Sequence, residues 1–163
     1  MASDYLTEVP IAVSKPLLVY LLTDPYYFSG VTGHISIFKV YDKEAMDFLP
    51  PSKVRSPANK FKVSVLINED KLKVLGARME GPELFADVVS YKFSGGVNGG
   101  IEFTFRQREG KPIASIYANM EYKGGLFLSR KANLAEHVVR DHLVPFISSL
   151  REIAIAKRVG DER

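Results

Sequence analysis

A long amphipathic helix predicted near the C-terminal end constrains the fold of this chain more than any other stretch. Its expected span is residues 133–159, with a capping box formed by Asn133 and Glu136, and Ser129 competes as a cap one turn earlier. Apolar residues recur at steps of three and four on one face, namely Val139, Leu143, Phe146, Leu150 and Ile153. Such a helix would be about 39 Å long at 1.5 Å per residue. We therefore expect the preceding sequence to form a sheet that covers its apolar face.

Pro145 interrupts this predicted helix. Proline has no N–H to donate to the carbonyl of Asp141, and its ring clashes with that carbonyl, so we expect a kink. Small residues, Ala114 and Ala118, alternate with Ile116 and Met120 on the predicted inward face of the last strand. Small side chains opposite a kinked helix would leave a cavity between helix and sheet, unless the helix packs closer there.

Residues 60–122 alternate apolar and polar side chains in segments separated by turn residues, which is typical of antiparallel hairpins. We predict two-residue turns at Glu69-Asp70, Pro82-Glu83, Asn98-Gly99 and Glu109-Gly110. The first would place Phe61, Val63 and Val65 opposite Arg78, Gly76 and Val74, and the last would place Ile101, Phe103 and Phe105 opposite Ala118, Ile116 and Ala114. The Asn98-Gly99 turn conflicts with the apolar pattern, and a bulge at Gly95-Gly96 would repair it.

The first 59 residues predict one strand, two short helices and a second strand. The first strand covers residues 5–11, and Ser14 and Asp24 are the expected N-caps of the helices, the second of which should end at Gly30. The second strand should cover residues 31–41. The stretch 42–59, rich in proline, should be a loop with one helical turn at 44–48.

This order of elements resembles the START-like superfamily, also called SRPBCC. Residues 14–26, SKPLLVYLLTDPY, are similar to the "wall…tDp" helix pair that many members carry after the first strand, although Tyr20 stands about where a tryptophan is common. The chain is also similar to small archaeal members. The resemblance implies a single START-like domain over residues 1–163, of the α+β class. Its helix-grip fold would wrap a curved antiparallel sheet of about seven strands around the long C-terminal helix.

The resemblance also implies a cavity between sheet and helix, where members of this superfamily bind lipids, sterols, polyketides or plant hormones. We therefore predict binding of a hydrophobic small molecule, such as a lipid, a fatty acid or an aromatic polyketide-like compound. Two alternatives stay open: a cyclase or dehydratase that uses the same cavity, and an interaction module without a ligand. The predicted ligand-binding residues are Phe28, Phe61, Val63, Val65, Arg78, Asp87, Val89, Tyr91, Phe103, Phe105, Ile116, Met120, Val139, Leu143 and Phe146.

Arg78 and Asp87 are the two charged residues in this set. A turn at Gly81-Pro82 would place them opposite each other, and the predicted register points both inward. Arg78 would then anchor a polar or anionic head group, with Asp87 holding it in place. The alternative is a cross-strand ion pair at the rim of the sheet.

The three histidines give no metal-binding motif. His137 and His142 are five residues apart, which places them on different faces of an α-helix, and His34 lies on a strand. We therefore predict no metal and no cofactor, and interpret these side chains as surface or rim residues. If the chain is an enzyme, the available acid–base residues are His34, His142, Tyr117, Asp87 and Arg78, and no nucleophile–base pair is visible.

Composition limits the partners. The 22 basic and 19 acidic residues are scattered, which does not favour a nucleic-acid surface. No apolar run approaches the ~20 residues of a membrane span, and residues 1–10 have no apolar core of a signal peptide. Cysteine is absent, so disulfides and thiolate metal sites are excluded. We expect a cytosolic protein without stable membrane insertion, and the sequence leaves a homodimer open.

Overall fold

A computed structural model describes residues 4–122 and 133–151. Its centre is an eight-stranded antiparallel sheet with the strand order β1-β8-β7-β6-β5-β4-β2-β3. The strands are β1 (Asp4–Pro10), β2 (Ile35–Asp42), β3 (Asp47–Leu49), β4 (Lys60–Asn68), β5 (Lys73–Phe85), β6 (Val88–Gly95), β7 (Val97–Arg108) and β8 (Lys111–Tyr122). The α+β helix-grip expectation is confirmed, with eight strands where about seven were predicted.

Two short helices follow β1, as predicted. Helix α1 (Lys15–Leu22) begins at Ser14, whose hydroxyl accepts a hydrogen bond from the N–H of Leu17. Helix α2 (Pro25–Thr32) begins at Asp24, whose carboxylate accepts from two backbone N–H groups. The predicted end at Gly30 is wrong, because the residue that adopts the left-handed C-cap conformation is Gly33, at φ +68°.

The loop between β2 and β4 also differs from its prediction. The helical turn expected at 44–48 is wrong, because β3 (Asp47–Leu49) pairs there with the end of β2. A single 3₁₀ turn at Pro51–Lys53 follows it.

The C-terminal helix begins at Asn133, as the capping box predicts, since its side chain accepts from the N–H of Glu136 at 3.2 Å. It consists of α3 (Leu134–His137), a π-helical segment (Val138–Leu143) and α4 (Val144–Ser149). The π-helical segment takes the place of the simple kink expected at Pro145, which lies in the first turn of α4. Leu150 is extended, and the predicted continuation from 152 to 159 lies outside the described residues.

The β7–β8 hairpin has the predicted register. Ile101 pairs with Ala118, Phe103 with Ile116 and Phe105 with Ala114, around the turn at Glu109-Gly110. Glu109 and Gly110 both have positive φ, at 53° and 76°, as this type of hairpin turn requires.

The β4–β5 register is one residue away from the prediction. Phe61 pairs with Met79, Val63 with Ala77 and Val65 with Leu75. The connection is a loop from 69 to 72 whose backbone is held by Asn68, rather than a two-residue turn at Glu69-Asp70, and an irregularity between Leu66 and Asn68 makes the net shift one residue. A shift of one residue moves every side chain of β5 to the other face of the sheet.

The two predicted turns at Pro82-Glu83 and Asn98-Gly99 are also wrong. Strand β5 runs through Gly81-Pro82 as an irregularity and turns at Ala86-Asp87, where Phe85 pairs with Val88. Strands β6 and β7 turn at the glycine pair 95–96, which the conflict in the apolar pattern had indicated, and Phe93 pairs with Gly99.

Candidate functional site

Most of the predicted ligand-binding residues lie together in one buried cluster between the sheet and the C-terminal helix. Those with at most 5% exposure are Phe28, Phe61, Val63, Val65, Val89, Tyr91, Phe103, Phe105, Ile116, Met120, Val139 and Leu143. Phe146 is partly buried and packs against the cluster. Ala114 and Ala118 are also fully buried, so the small residues of β8 do face inward.

An aromatic stack joins α2 to the sheet inside this cluster. The rings of Phe28 and Tyr91 lie 3.8 Å apart and nearly parallel, and Phe103 meets Phe28 edge-on at 6.1 Å. The Tyr91 hydroxyl donates a 2.6 Å hydrogen bond to the carbonyl of Leu22 at the end of α1. Burial raises the pKa of Tyr91 far above its usual value. This phenol therefore stays neutral and ties α1 to β6.

Arg78 and Asp87 do not form the predicted inward pair. Both are exposed, because the actual register puts Ala77 and Met79 on the buried face and places Asp87 in the β5–β6 turn. Arg78 pairs with Ser94 across the strands, and its guanidinium lies 5.6 Å from the ring centre of Phe48. Asp87 forms an ion pair with Lys15. Neither side chain is placed to anchor a ligand inside the sheet.

A pocket opens between α2 and the loop that precedes β4, and we call it the mouth pocket. Its volume is about 400 Å³. Its lining is Thr23, Asp24, Pro25, Tyr26, Val40, Val54, Ser56, Pro57, Ala58, Phe61 and Pro82. Phe61 belongs to the buried cluster, and half-exposed Tyr26 meets its ring edge-on at 6.3 Å. Burial, together with the nearby Asp24 carboxylate, raises the pKa of Tyr26.

A second depression of about 430 Å³ lies on the outward face of β6, β7 and β8. Three charged residues, Lys92, Glu102 and Glu121, belong to its lining. The mouth pocket has one charged residue in its lining, Asp24.

The three histidines meet at the opposite end of β4, although the sequence predicted surface or rim residues that form no metal-binding set. Their ring centres lie 4.8 to 5.1 Å apart, and Glu69 from the β4–β5 loop joins them. The prediction failed because it assumed α-helical geometry, in which five residues correspond to a rotation of about 140°. The π-helical segment makes i→i+5 contacts instead, so His137 and His142 share a face.

The Nε2 atoms of these histidines converge on one carboxylate oxygen. Glu69 Oε1 lies 2.9 Å from Nε2 of His34, 2.9 Å from Nε2 of His137 and 3.8 Å from Nε2 of His142. We call this set the His₃Glu cluster. The His34 side chain is 2% exposed, His137 and His142 are each 30% exposed, and Glu69 is 53% exposed, so the cluster is open to solvent on one side.

Neighbouring groups shift the pKa values of Glu69, Asp141 and His142. The hydrogen bond from His137 holds the pKa of Glu69 below its usual value. Hydrogen bonds from Arg140 and then His137 lower the pKa of Asp141 to about 2. Burial, reinforced by the two neighbouring histidines, lowers the pKa of His142, which favours its neutral form.

The comparisons with known proteins give a fold. No protein-family model matches the sequence, and the curated proteins give no match. Among solved structures, a Deinococcus radiodurans protein aligns with a TM-score of 0.59 at 12% identity, over 88% of this chain and 93% of that one. A START superfamily protein from Mycobacterium smegmatis aligns with a TM-score of 0.52 at 10% identity, over 88% and 96%.

The chain has the START-like helix-grip fold. In this chain, the helix that the sheet grips is the broken helix from Leu134 to Ser149. None of the helices within 4–122 and 133–151 has the length and apolarity that crossing a membrane requires.

Sequence reasoning missed Glu69 and most of the mouth pocket. Glu69 lies in a loop, where no periodicity predicts the direction of a side chain. Four of the eleven residues that line the pocket lie in the loop between Val54 and Ala58, for which the same holds. The H-x₄-H spacing followed by Pro145 is the one signal that could have indicated the cluster, because a proline after the pair favours a break from α-helical geometry.

Proposed function

We propose that this chain binds a hydrophobic small molecule, such as a lipid, a fatty acid or an aromatic polyketide-like compound, through the mouth pocket. The observation that carries the proposal is the position of this pocket, which has Phe61 of the buried cluster in its lining. Its volume of about 400 Å³ falls in the usual range for ligand sites, roughly 300–1,000 Å³. An apolar ligand would gain about 0.8 kcal/mol for each methylene it buries.

The lining residues indicate where the apolar portion and the head group of the ligand would bind. Apolar side chains of Val40, Val54 and Phe61 suit a hydrocarbon or aromatic portion, while Asp24 and Tyr26 stand on the α2 side. A carboxylate at the rim favours a head group that donates hydrogen bonds, such as the hydroxyl of a phenol or of a protonated fatty acid. We therefore replace the predicted Arg78 anchor with the Tyr26 hydroxyl and the Asp24 carboxylate.

The ligand would extend from the pocket into the cluster by displacing side chains there. Tyr26 covers the edge of Phe61, and its 50% exposure leaves it room to swing outward. The described lining contains none of the acid–base residues considered for a cyclase or dehydratase, so binding without chemistry is the function proposed. A homodimer and a cytosolic location stay predictions of the sequence.

The proposal is tested by blocking the pocket. We would titrate the protein with the fluorescent apolar probe anilinonaphthalene sulfonate and displace it with fatty acids and aromatic polyketide-like compounds. Ala58→Trp should weaken binding at least about tenfold, which corresponds to about 1.4 kcal/mol. Ala45→Trp, in an exposed turn, is the matched control and should bind as the parent does. Equal binding by both variants would reject the mouth pocket, and no binding by the parent would favour the ligand-free interaction module.

A further inference from the structure

We propose that the His₃Glu cluster binds one divalent first-row transition-metal ion, of which Zn²⁺ fits best. The site is independent of the proposed apolar ligand. Phe61 of the mouth pocket and Ile67, next to the cluster, are six residues apart on β4, or about 20 Å at 3.3 Å per residue. Three separate parts of the chain supply the ligands: the residue before β2, the β4–β5 loop and the C-terminal helix.

The spacing of the donor atoms suits a tetrahedral ion. Zinc–nitrogen and zinc–oxygen bonds of about 2.0–2.1 Å imply donor-to-donor distances of roughly 3.3 Å. The Glu69 oxygen lies 2.9, 2.9 and 3.8 Å from the three Nε2 atoms, on both sides of that value. One donor atom from each of the four residues, a ring nitrogen or a carboxylate oxygen, lies within 4.8 Å of the other three. Only small shifts would be needed to place an ion at the centre.

Two of the ligand nitrogens are buried without a hydrogen-bond partner. His34 Nε2 and His142 Nε2 are both inaccessible to solvent and lack one. The contact between His34 Nε2 and Glu69 is short, but its direction does not suit a hydrogen bond. A buried polar atom left unsatisfied costs about 1–3 kcal/mol. A metal ion would remove that cost at both nitrogens at once.

The opposite ring nitrogens of His34 and His137 are held as metal-binding histidines require. His34 Nδ1 lies 2.5 Å from the carbonyl of Leu66, to which it donates. His137 Nδ1 lies 2.7 Å from Asp141, whose carboxylate is also bonded by Arg140 at 3.0 Å. These partners hold a proton on Nδ1, so that Nε2 is the nitrogen available to an ion, which at His137 would replace the hydrogen bond to Glu69.

The donor set selects the class of ion. Three imidazole nitrogens and one carboxylate suit zinc, iron, cobalt, nickel or copper, whereas magnesium and calcium prefer oxygen ligands. The exposed side of the cluster, at Glu69, gives the ion a route in. An ion held there would cross-link β2 and the β4–β5 loop to the π-helical segment, and would therefore stabilise the grip of the sheet on the helix.

The test is calorimetric titration of the full chain, stripped with a chelator, with Zn²⁺ at neutral pH. We expect one ion per chain and a rise in melting temperature, with no response to Mg²⁺. Glu69→Gln should weaken Zn²⁺ binding at least about tenfold. Asp141→Asn should weaken it about 10–100-fold, because Asp141 orients the His137 ring through its Nδ1. Both carboxylates are exposed, so these variants should fold, and Glu44→Gln in an exposed turn is the matched control.

Visible spectra of the Co²⁺-loaded protein and NMR spectra of the histidine side chains show whether the ion binds at the His₃Glu cluster. Tetrahedral Co²⁺ gives intense visible bands, and these should disappear in His142→Gln. All three histidines of the chain belong to the cluster, so every imidazole signal should shift together with one equivalent of Zn²⁺. Absence of stoichiometric Zn²⁺ binding would overturn the proposal. So would binding that Glu69→Gln and His142→Gln leave unchanged.

Discussion

His137 and His142 are five residues apart in the sequence, and their rings lie only 5.1 Å apart, almost perpendicular to each other. The backbone between them is π-helical, and this wider turn brings both side chains onto the face that meets His34. π-Bulges inside helices occur frequently at functional sites. In this chain the irregular turn is what assembles the His₃Glu cluster.

Pro145→Ala should weaken the His₃Glu cluster. An alanine at this position can donate its N–H to the carbonyl of Asp141, which favours α-helical geometry across the segment. His142 would then rotate away from His137, and we expect Zn²⁺ affinity to fall by at least about tenfold (about 1.4 kcal/mol). Calorimetry measures this change. Pro57→Ala, outside the helix, is the control, and equal affinity in the two variants would contradict the role given to Pro145.

Gly30 and Gly33 should respond oppositely to alanine. Gly30 lies within α2, and a Cβ there would meet nothing within 4 Å, so Gly30→Ala should stabilise the protein by about 0.5–1 kcal/mol. Gly33 has φ +68°, and its Cβ would lie 2.7 Å from His142 Nδ1. Gly33→Ala should therefore destabilise by about 1–2 kcal/mol. Urea unfolding measures both changes, and the same sign for the two would refute this explanation.

Tyr91 should make stability fall at alkaline pH. Its pKa is raised above the usual value near 10 by burial, so above that pH the unfolded chain releases a proton that the folded chain keeps. Fewer protons in the unfolded state make the free energy of unfolding decrease as pH rises, by up to about 1.4 kcal/mol per unit.

Tyr91→Phe should remove that slope. It should also lower stability at neutral pH by about 1–3 kcal/mol, because the carbonyl of Leu22 loses its donor. Denaturant unfolding between about pH 9 and 11 measures both effects. Tyr20→Phe, at a 74% exposed side chain, is the control, and a slope that Tyr91→Phe leaves intact would place its origin elsewhere.

Asp24 should stabilise the rim of the mouth pocket. Its carboxylate accepts hydrogen bonds from the N–H groups of Tyr26 and Tyr27, at 2.9 and 3.3 Å. Asp24→Ala should cost about 1 kcal/mol of stability through loss of this N-cap. Urea unfolding measures the loss. Asp70→Ala, in the exposed β4–β5 loop, is the control, and equal stability of the two variants would show that the cap contributes nothing.

Local chemistry in the sequence predicted the helix starts and one hairpin. Ser14, Asp24 and Asn133 cap helices because each side chain bonds the backbone two or three residues ahead, which depends on nothing distant. The Glu109-Gly110 turn likewise fixed the β7–β8 register. These features, with the alternating strands, predicted the order of elements, and the resemblance of that order to the START-like superfamily predicted the helix-grip architecture.

The rest depends on loop lengths and backbone irregularities that periodicity does not reveal. The longer β4–β5 loop and the irregularity between Leu66 and Asn68 together shifted the register by one residue and turned Arg78 outward. The continuation of β5 through Gly81-Pro82 moved Asp87 into a turn. The predicted inward pair of Arg78 and Asp87 was therefore wrong, whereas the apolar residues predicted to bind a ligand are buried in the core or packed against it. The His₃Glu cluster was missed because a 3.6-residue period cannot describe a π-helical segment.

Native mass spectrometry of the protein purified from its own host tests the central claim, ligand binding at the mouth pocket, most directly. We expect a discrete apolar molecule bound to the chain, released by organic extraction, and strongly reduced in Ala58→Trp but not in Ala45→Trp. An adduct of the mass of a metal ion would be distinct from it and would not extract into organic solvent. A chain free of organic ligand that also fails to take up fatty acids or aromatic compounds would contradict the claim.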